Sequence, residues 1–159
     1  MAEADRLPHV DGALYLDDLR VGQRFSSRAH ALDEAQIKAF AGQFDPQPFH
    51  LDEATAKDTF FAGLAASGWH TAAITMRLLV DGGAPIAGGV VGAGGEIAWP
   101  KPTRPGDILR VKSEILDVTP SRSRPDRGMV TIRSETFNQR GEIVQTLTAK
   151  LVVPRRPAA

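Results

Sequence analysis

The chain has no cysteine, which excludes disulfides, thiolate nucleophiles and Cys-ligated zinc before any motif is considered. A reducing compartment such as the cytoplasm is the setting this absence leads us to expect. Charge of one sign is also missing: Lys+Arg and Asp+Glu each number 19 among 159 residues. No global field exists to gather nucleic acid or an anionic membrane, so an anionic ligand must be held locally. Nor is there a long hydrophobic run. The most apolar tract, 62–80, is interrupted by Ser67, His70, Thr71, Thr75 and Arg77, which fits a buried helix and not a membrane span. Met1 to Asp11 carries Glu3, Asp5 and Arg6 and lacks the apolar stretch of a secretory signal. His9, His30, His50 and His70 have no metal-ligand spacing, so no metal is expected.

What is present suits one domain with a real core, since 42% of residues are hydrophobic and 24% charged. Residues 1–12 read as a flexible N-terminal arm, 13–154 as the domain and 155–159 as a tail. After a turn at Val21-Gly22, Arg24 to Ala31 predicts a strand. Asp33 offers an N-cap, and Ile37, Phe40, Ala41 and Phe44 recur at helical spacing until Pro46 forbids continuation. Asp45 is therefore expected at a helix end. Asp52 to Lys57 predicts a short helix with acids in its first turn, and Phe60 and Phe61 are expected to close that layer. From Ser67 to Leu79 runs the strongest helix pattern. Trp69, Ala72, Ala73, Met76, Leu79 and Val80 make it apolar over so much of its circumference that it is expected to be largely buried.

The second half changes character. Glycines 88, 89, 92, 94 and 95 form a flexible lead-in to Glu96–Trp99 and allow another backbone or an acyl chain to come close. Segments 108–118, 129–138 and 143–153 are rich in β-branched residues with partial period-two alternation. Pro105-Gly106-Asp107 and Asn138–Gly141 are turns, and 121–128 is a polar hairpin loop. These late strands lie too close together for crossover helices, so the order predicts α+β: a curved antiparallel sheet wrapped around one buried helix. Such a sheet leaves an edge exposed, and pairing through it predicts a homodimer or higher homo-oligomer.

Two places carry chemistry. Asp45 and His50 stand five positions apart across Pro46 and Pro48, a carboxylate and an imidazole on a stiffened loop that can bring both to one water. Spacing alone favours the plainer reading, in which Asp45 caps a turn and His50 fills a half-buried position. Gly68, at the start of the apolar helix, offers a backbone N–H to an oxygen that gains charge. A glycine that only lets the helix pack tightly is the alternative. His70 one turn inside is read as a packing or capping residue, and Ser67 lacks the surroundings of an acyl nucleophile.

The blocks Phe40-Ala41-x-x-x-Asp45-x-Gln47-Pro48-x-His50-x-Asp52, Ser67-Gly68-Trp69-His70-Thr71 and Trp99-x-x-Pro102-x-x-Pro105-Gly106-Asp107 together resemble the MaoC-like dehydratase family, which includes the (R)-specific enoyl-CoA hydratases. The resemblance spans the chain from the first long helix to the late strands. It implies a hot-dog fold, Asp45 and His50 as a catalytic dyad and Gly68 as an oxyanion-hole amide. It further implies reversible addition of water to a trans-2-enoyl thioester of coenzyme A or acyl carrier protein. No cofactor is needed, coenzyme A entering only as part of the substrate. Phe49, Ser67 and Trp69 flank these positions and are expected to bind substrate, with core packing the alternative for the aromatics. Lys101, Arg104, Arg122, Arg124 and Arg127 either meet coenzyme A phosphates or are solvated strand-end charges. Three residues depart from the family's habit: Gln47 where Asn is frequent, Ser67 where His is, and Met76 where some relatives carry a polar residue. The same fold hosts thioesterases and is equally open to a non-catalytic acyl-thioester binding module.

Overall fold

Two short strands, β1 (Arg24–Ser26) and β2 (His30–Ala31), precede helices α1 (Glu34–Phe44), α2 (Pro48–Leu51) and α3 (Glu53–Ala56). A longer helix, α4 (Gly68–Gly82), leads to strands β3 (Gly92–Ala98), β4 (Ile108–Pro120), β5 (Arg127–Phe137) and β6 (Ile143–Pro154). The computed structural model describes residues 12–158, so the arm expected over 1–12 lies, but for Gly12, outside the described residues. The strands form one antiparallel sheet in the order β1-β4-β5-β6-β3, with β2 also on β4. The curved sheet and its central helix make the α+β hot-dog fold that pattern and resemblance led us to expect. Among the described residues no helix is long and apolar enough to cross a membrane.

Alternation builds the core. Leu109, Val111 and Ile115 of β4 and Val130 and Ile132 of β5 are buried at every second position, as one face of a pleated strand requires. Ile74 and Leu78 of α4 pack with Leu32, Ile37, Leu64, Leu109, Val111 and Val144. A second cluster gathers Leu14, Leu16 and Leu19 against Ile115, Val130, Leu151 and Val153. A fully buried aliphatic side chain contributes about 1.5–3 kcal/mol, against about 0–1 kcal/mol for an exposed ion pair such as Arg77–Asp81, so the first of these clusters and not the surface charges holds the helix to the sheet.

Several expectations are corrected. The strand expected over Arg24–Ala31 breaks at Ser27, whose backbone N–H donates to Val111 and whose hydroxyl accepts from the Val111 amide at 2.9 Å, a side chain standing in for a carbonyl. The loop expected around Pro48 is a helical turn, because Pro48 sits at the first helical position, where its fixed φ helps and its missing N–H costs nothing. Phe60 does not close a layer; it is 97% exposed. α4 is not largely buried: Trp69, Met76 and Val80 are 61%, 42% and 64% exposed, while His70, Thr71, Ile74, Thr75 and Leu78 face inward. The inward threonines are satisfied, Thr71 donating to Thr103 at 3.0 Å and Thr75 bonding Thr136 at 2.7 Å. Half of the glycine run is strand and not a lead-in, yet the expected close approach is there: a Cβ on Gly95 would lie 2.5 Å from the Thr148 carbonyl oxygen of β6. The tail beyond 154 is tied down at Arg155 and Arg156, which bond Asp17 and Asp18.

His70 stacks flat on Phe40, ring centres 4.5 Å apart, and its Nδ1 has no partner among the described residues. Burial, with a smaller effect from the charge of His30, pushes its imidazole down from 6.5 to about 4. Below 6.5 the unfolded chain therefore takes up a proton that the folded chain refuses until about 4. Stability is complete above that window and falls as pH drops through it, by roughly 3 kcal/mol at most. In urea unfolding at pH 7 and pH 4.5, His70→Phe is expected to lose less stability between the two than wild type. Equal losses would count against a neutral buried imidazole.

Candidate active site

Pro46 stops α1, leaving Asp45 as its C-cap with its N–H on the Ala41 carbonyl. The chain turns, the Gln47 N–H donating to the Asp45 carbonyl at 2.8 Å, and α2 then carries His50 inward to 4% exposure. The His50 Nδ1 lies 2.6 Å from the Ala65 carbonyl oxygen. A carbonyl only accepts, so Nδ1 bears a proton, and Nε2 is the ring nitrogen turned toward Asp45. That Nε2 is 3.3 Å from Asp45 Oδ2, so five positions of sequence become one contact.

Both Asp45 oxygens are held. Ser67 Oγ donates to Oδ2 at 2.6 Å and Gln47 Nε2 to Oδ1 at 2.6 Å. Burial is the largest single influence on this carboxyl and works against its charge. The hydrogen bonds from Ser67 and Gln47, with the nearby His50, together outweigh it and hold Asp45 below the usual carboxylate range. Ser67 is fully buried and also caps α4, its oxygen accepting from the Trp69 N–H at 3.3 Å. Thus the residue expected among the substrate ligands directs its hydroxyl proton at Asp45.

Gly68 opens α4, and its N–H, an amide that a helix leaves unpaired, meets no acceptor among the described residues. The close-packing reading of this glycine is met, because a Cβ would strike the Trp99 indole at 2.7 Å. Trp69 stands outward and edge-on to Trp99 at 5.3 Å. Phe49 lies edge-on to His50 at 4.6 Å and against Phe61 at 5.0 Å. Arg104 is no free phosphate ligand: its guanidinium donates to the carbonyls of Phe61, Gly63 and Leu64 and fastens the segment that brings Ala65 to His50. Lys101 pairs with Glu142, and Arg124 and Arg127 with Asp126. An apolar cavity of about 40 Å³ lies between the far half of α4 and the sheet, lined by Met76, Leu79, Ile132, Ser134 and Leu147 among others. It is about 12 Å along the helix from Gly68, and neither Asp45 nor His50 lines it.

Sequence reasoning missed the two donors to Asp45, the Ala65 carbonyl and the Arg104 clamp. Only Gln47 left a signal, as a polar side chain two residues from Asp45. The donors' effect is measurable: in a carboxyl NMR titration, Ser67→Ala is expected to raise the Asp45 pKa and, by losing the cap, to lower stability by about 1 kcal/mol. An unmoved Asp45 titration would show that the hydroxyl does not hold the charge.

Comparison with known proteins places the chain in a family. A family model described as MaoC like domain matches residues 19–136. The chain is 36% identical over 128 residues to YdeM, an uncharacterized protein of Bacillus subtilis (strain 168), covering 79% of this chain and 88% of that one. Its structure is similar to that of a MaoC-like dehydratase from Rhodospirillum rubrum, with TM-score 0.90 and 64% identity over 92% of this chain and 100% of the other. It is similar also to an unliganded R-hydratase from Pseudomonas aeruginosa, with TM-score 0.72 and 26% identity over 91% of this chain and 88% of the other. The matched span covers most of the chain and includes Asp45, His50, Gly68 and the Trp99–Asp107 turn, and the protein belongs to the MaoC-like domain family.

Proposed function

We propose that the protein is an enoyl-thioester hydratase, working as a dehydratase in the reverse direction. The observation that carries this reading is the 3.3 Å approach of His50 Nε2 to Asp45 Oδ2 beside the unpaired Gly68 amide. A water held between carboxylate and imidazole attacks C3 of a trans-2-enoyl thioester. Asp45 takes a proton from that water as the C3–O bond forms. Electrons of the C2=C3 bond move toward the thioester oxygen, where the Gly68 N–H receives the growing charge, a donation worth roughly 3 kcal/mol in such transition states. The dyad returns a proton to C2, so one water is added and nothing is oxidised or reduced. The thioester itself acidifies C2, and the chemistry calls for no metal or redox group. Coenzyme A or an acyl carrier is part of the substrate. The R-hydratase likeness supports the reading.

With a short enoyl-CoA, hydration is read as loss of the conjugated absorbance with the thiol still esterified. Asp45→Asn nearly conserves shape while removing the base, and is expected to cut turnover by about 10²–10⁴-fold with the fold intact. Thiol release without hydroxyacyl product, or near-normal hydration by Asp45→Asn, would overturn the assignment.

We also infer that two copies pair. β3 is a sheet edge with nearly every side chain exposed, and the outward side of α4 presents Trp69, Met76 and Val80. An open edge beside an apolar surface is covered most simply by a second copy. Sedimentation at micromolar concentration is expected to give at least a dimer, and a monomer would refute the pairing.

A further inference from the structure

The indole of Trp99 fills the place a Cβ of residue 68 would take, and that ring is tied to the sheet. We propose that Trp99 is a positioning residue for the Gly68 amide, held in place by a buried polar chain through Gln145. This rests on the hydratase reading above for its catalytic consequence.

The chain can be followed atom by atom. Trp99 Nε1 donates to Gln145 Oε1 at 2.9 Å. An indole N–H only donates, so the carboxamide of Gln145 must turn its oxygen to Trp99 and its nitrogen away. The nitrogen then donates to Thr75 Oγ1 at 3.1 Å, and Thr75 Oγ1 bonds Thr136 Oγ1 at 2.7 Å. Thr136 is the cross-strand partner of Gln145, which puts both anchors on neighbouring strands β5 and β6. Gln145, Thr75 and Thr136 are all fully buried, so breaking any one link strands a polar group away from water.

At the outer end lies the indole. Its Cε2, Cδ2 and Cζ2 sit 2.7, 2.8 and 2.9 Å from where a Cβ of residue 68 would be. Trp99 is 39% exposed, so burial alone does not fix it, and the Nε1–H bond supplies the anchor. Its edge-on contact with Trp69 at 5.3 Å holds the residue on the other side of the Gly68–Trp69 peptide. The first turn of α4 is therefore gripped twice, by Ser67 bonded to Asp45 and by Trp99 bonded to the sheet. Together they fix the angle between base and oxyanion donor, the quantity on which an oriented transition state depends.

Gln145→Met removes the acceptor while leaving Thr75 and Thr136 to bond each other, and Trp99→Phe keeps an aromatic ring but loses the N–H. In both, kcat with an enoyl-CoA is expected to fall by about 10–100-fold with KM little changed, the signature of a misplaced transition-state donor. By NMR, the Gly68 amide resonance is expected to move in both variants, and the Trp99 indole N–H to lose its protection from exchange in Gln145→Met. Thermal melts establish that each variant folds, and the partly exposed position 99 keeps the test open if Gln145→Met does not. An unchanged kcat, a rise in KM alone, or an unmoved Gly68 amide overturns the proposal. If wild type hydrates no enoyl thioester, the hydratase reading fails, and the Gly68 resonance still decides for or against the positioning of the amide.

Discussion

The site hangs on the hydrogen bond from Ser67 to Asp45, 2.6 Å long and spanning 22 positions of sequence. Asp45 caps the C-terminal end of α1, where the helix dipole opposes a negative charge. Ser67 brings the carboxylate to the opposite kind of end, the N-terminus of α4, where the dipole favours it. Each such influence is about 0.3–1 kcal/mol in an exposed setting, and the two have opposite sign, so the direct donors Ser67 and Gln47 decide the balance. The same bond sets the spacing between α1 and α4, and thus between the dyad and the Gly68 amide.

How much of this was legible depended on whether a residue's role is local. Pro46 ends α1 by its own ring, Asp33 caps it with its own side chain, and the strands of the second half carry their alternation in plain view. Asp45 and His50 were paired through the family resemblance, spacing alone favouring the plainer reading, and their 3.3 Å contact was not legible, because it depends on Pro48 starting a helical turn where a loop was expected. The Ala65 carbonyl that meets His50 Nδ1 is invisible in sequence, since every residue carries the same backbone carbonyl. Arg104 was read as a candidate phosphate ligand because charge was its only visible property, yet three carbonyls occupy it.

α4 defeats the usual rule for the same reason. Trp69 and Val80 face out while Thr71 and Thr75 face in beside Ile74 and Leu78, a departure from the usual surface helix. The departure is tolerated because Thr71 and Thr75 find hydroxyl partners, so burial leaves their polar atoms satisfied. A hydropathy pattern records that a side chain is apolar, not which protein surface it will meet.

The 3.3 Å between His50 Nε2 and Asp45 Oδ2 has one more consequence on the hydratase reading. A planar alkene has two faces, and groups this close cannot stand on opposite ones. Hydroxyl and hydrogen then arrive from the same side, so the addition is syn, and the configuration of the new alcohol is decided by which face of the enoyl plane the Gly68 amide turns toward the dyad.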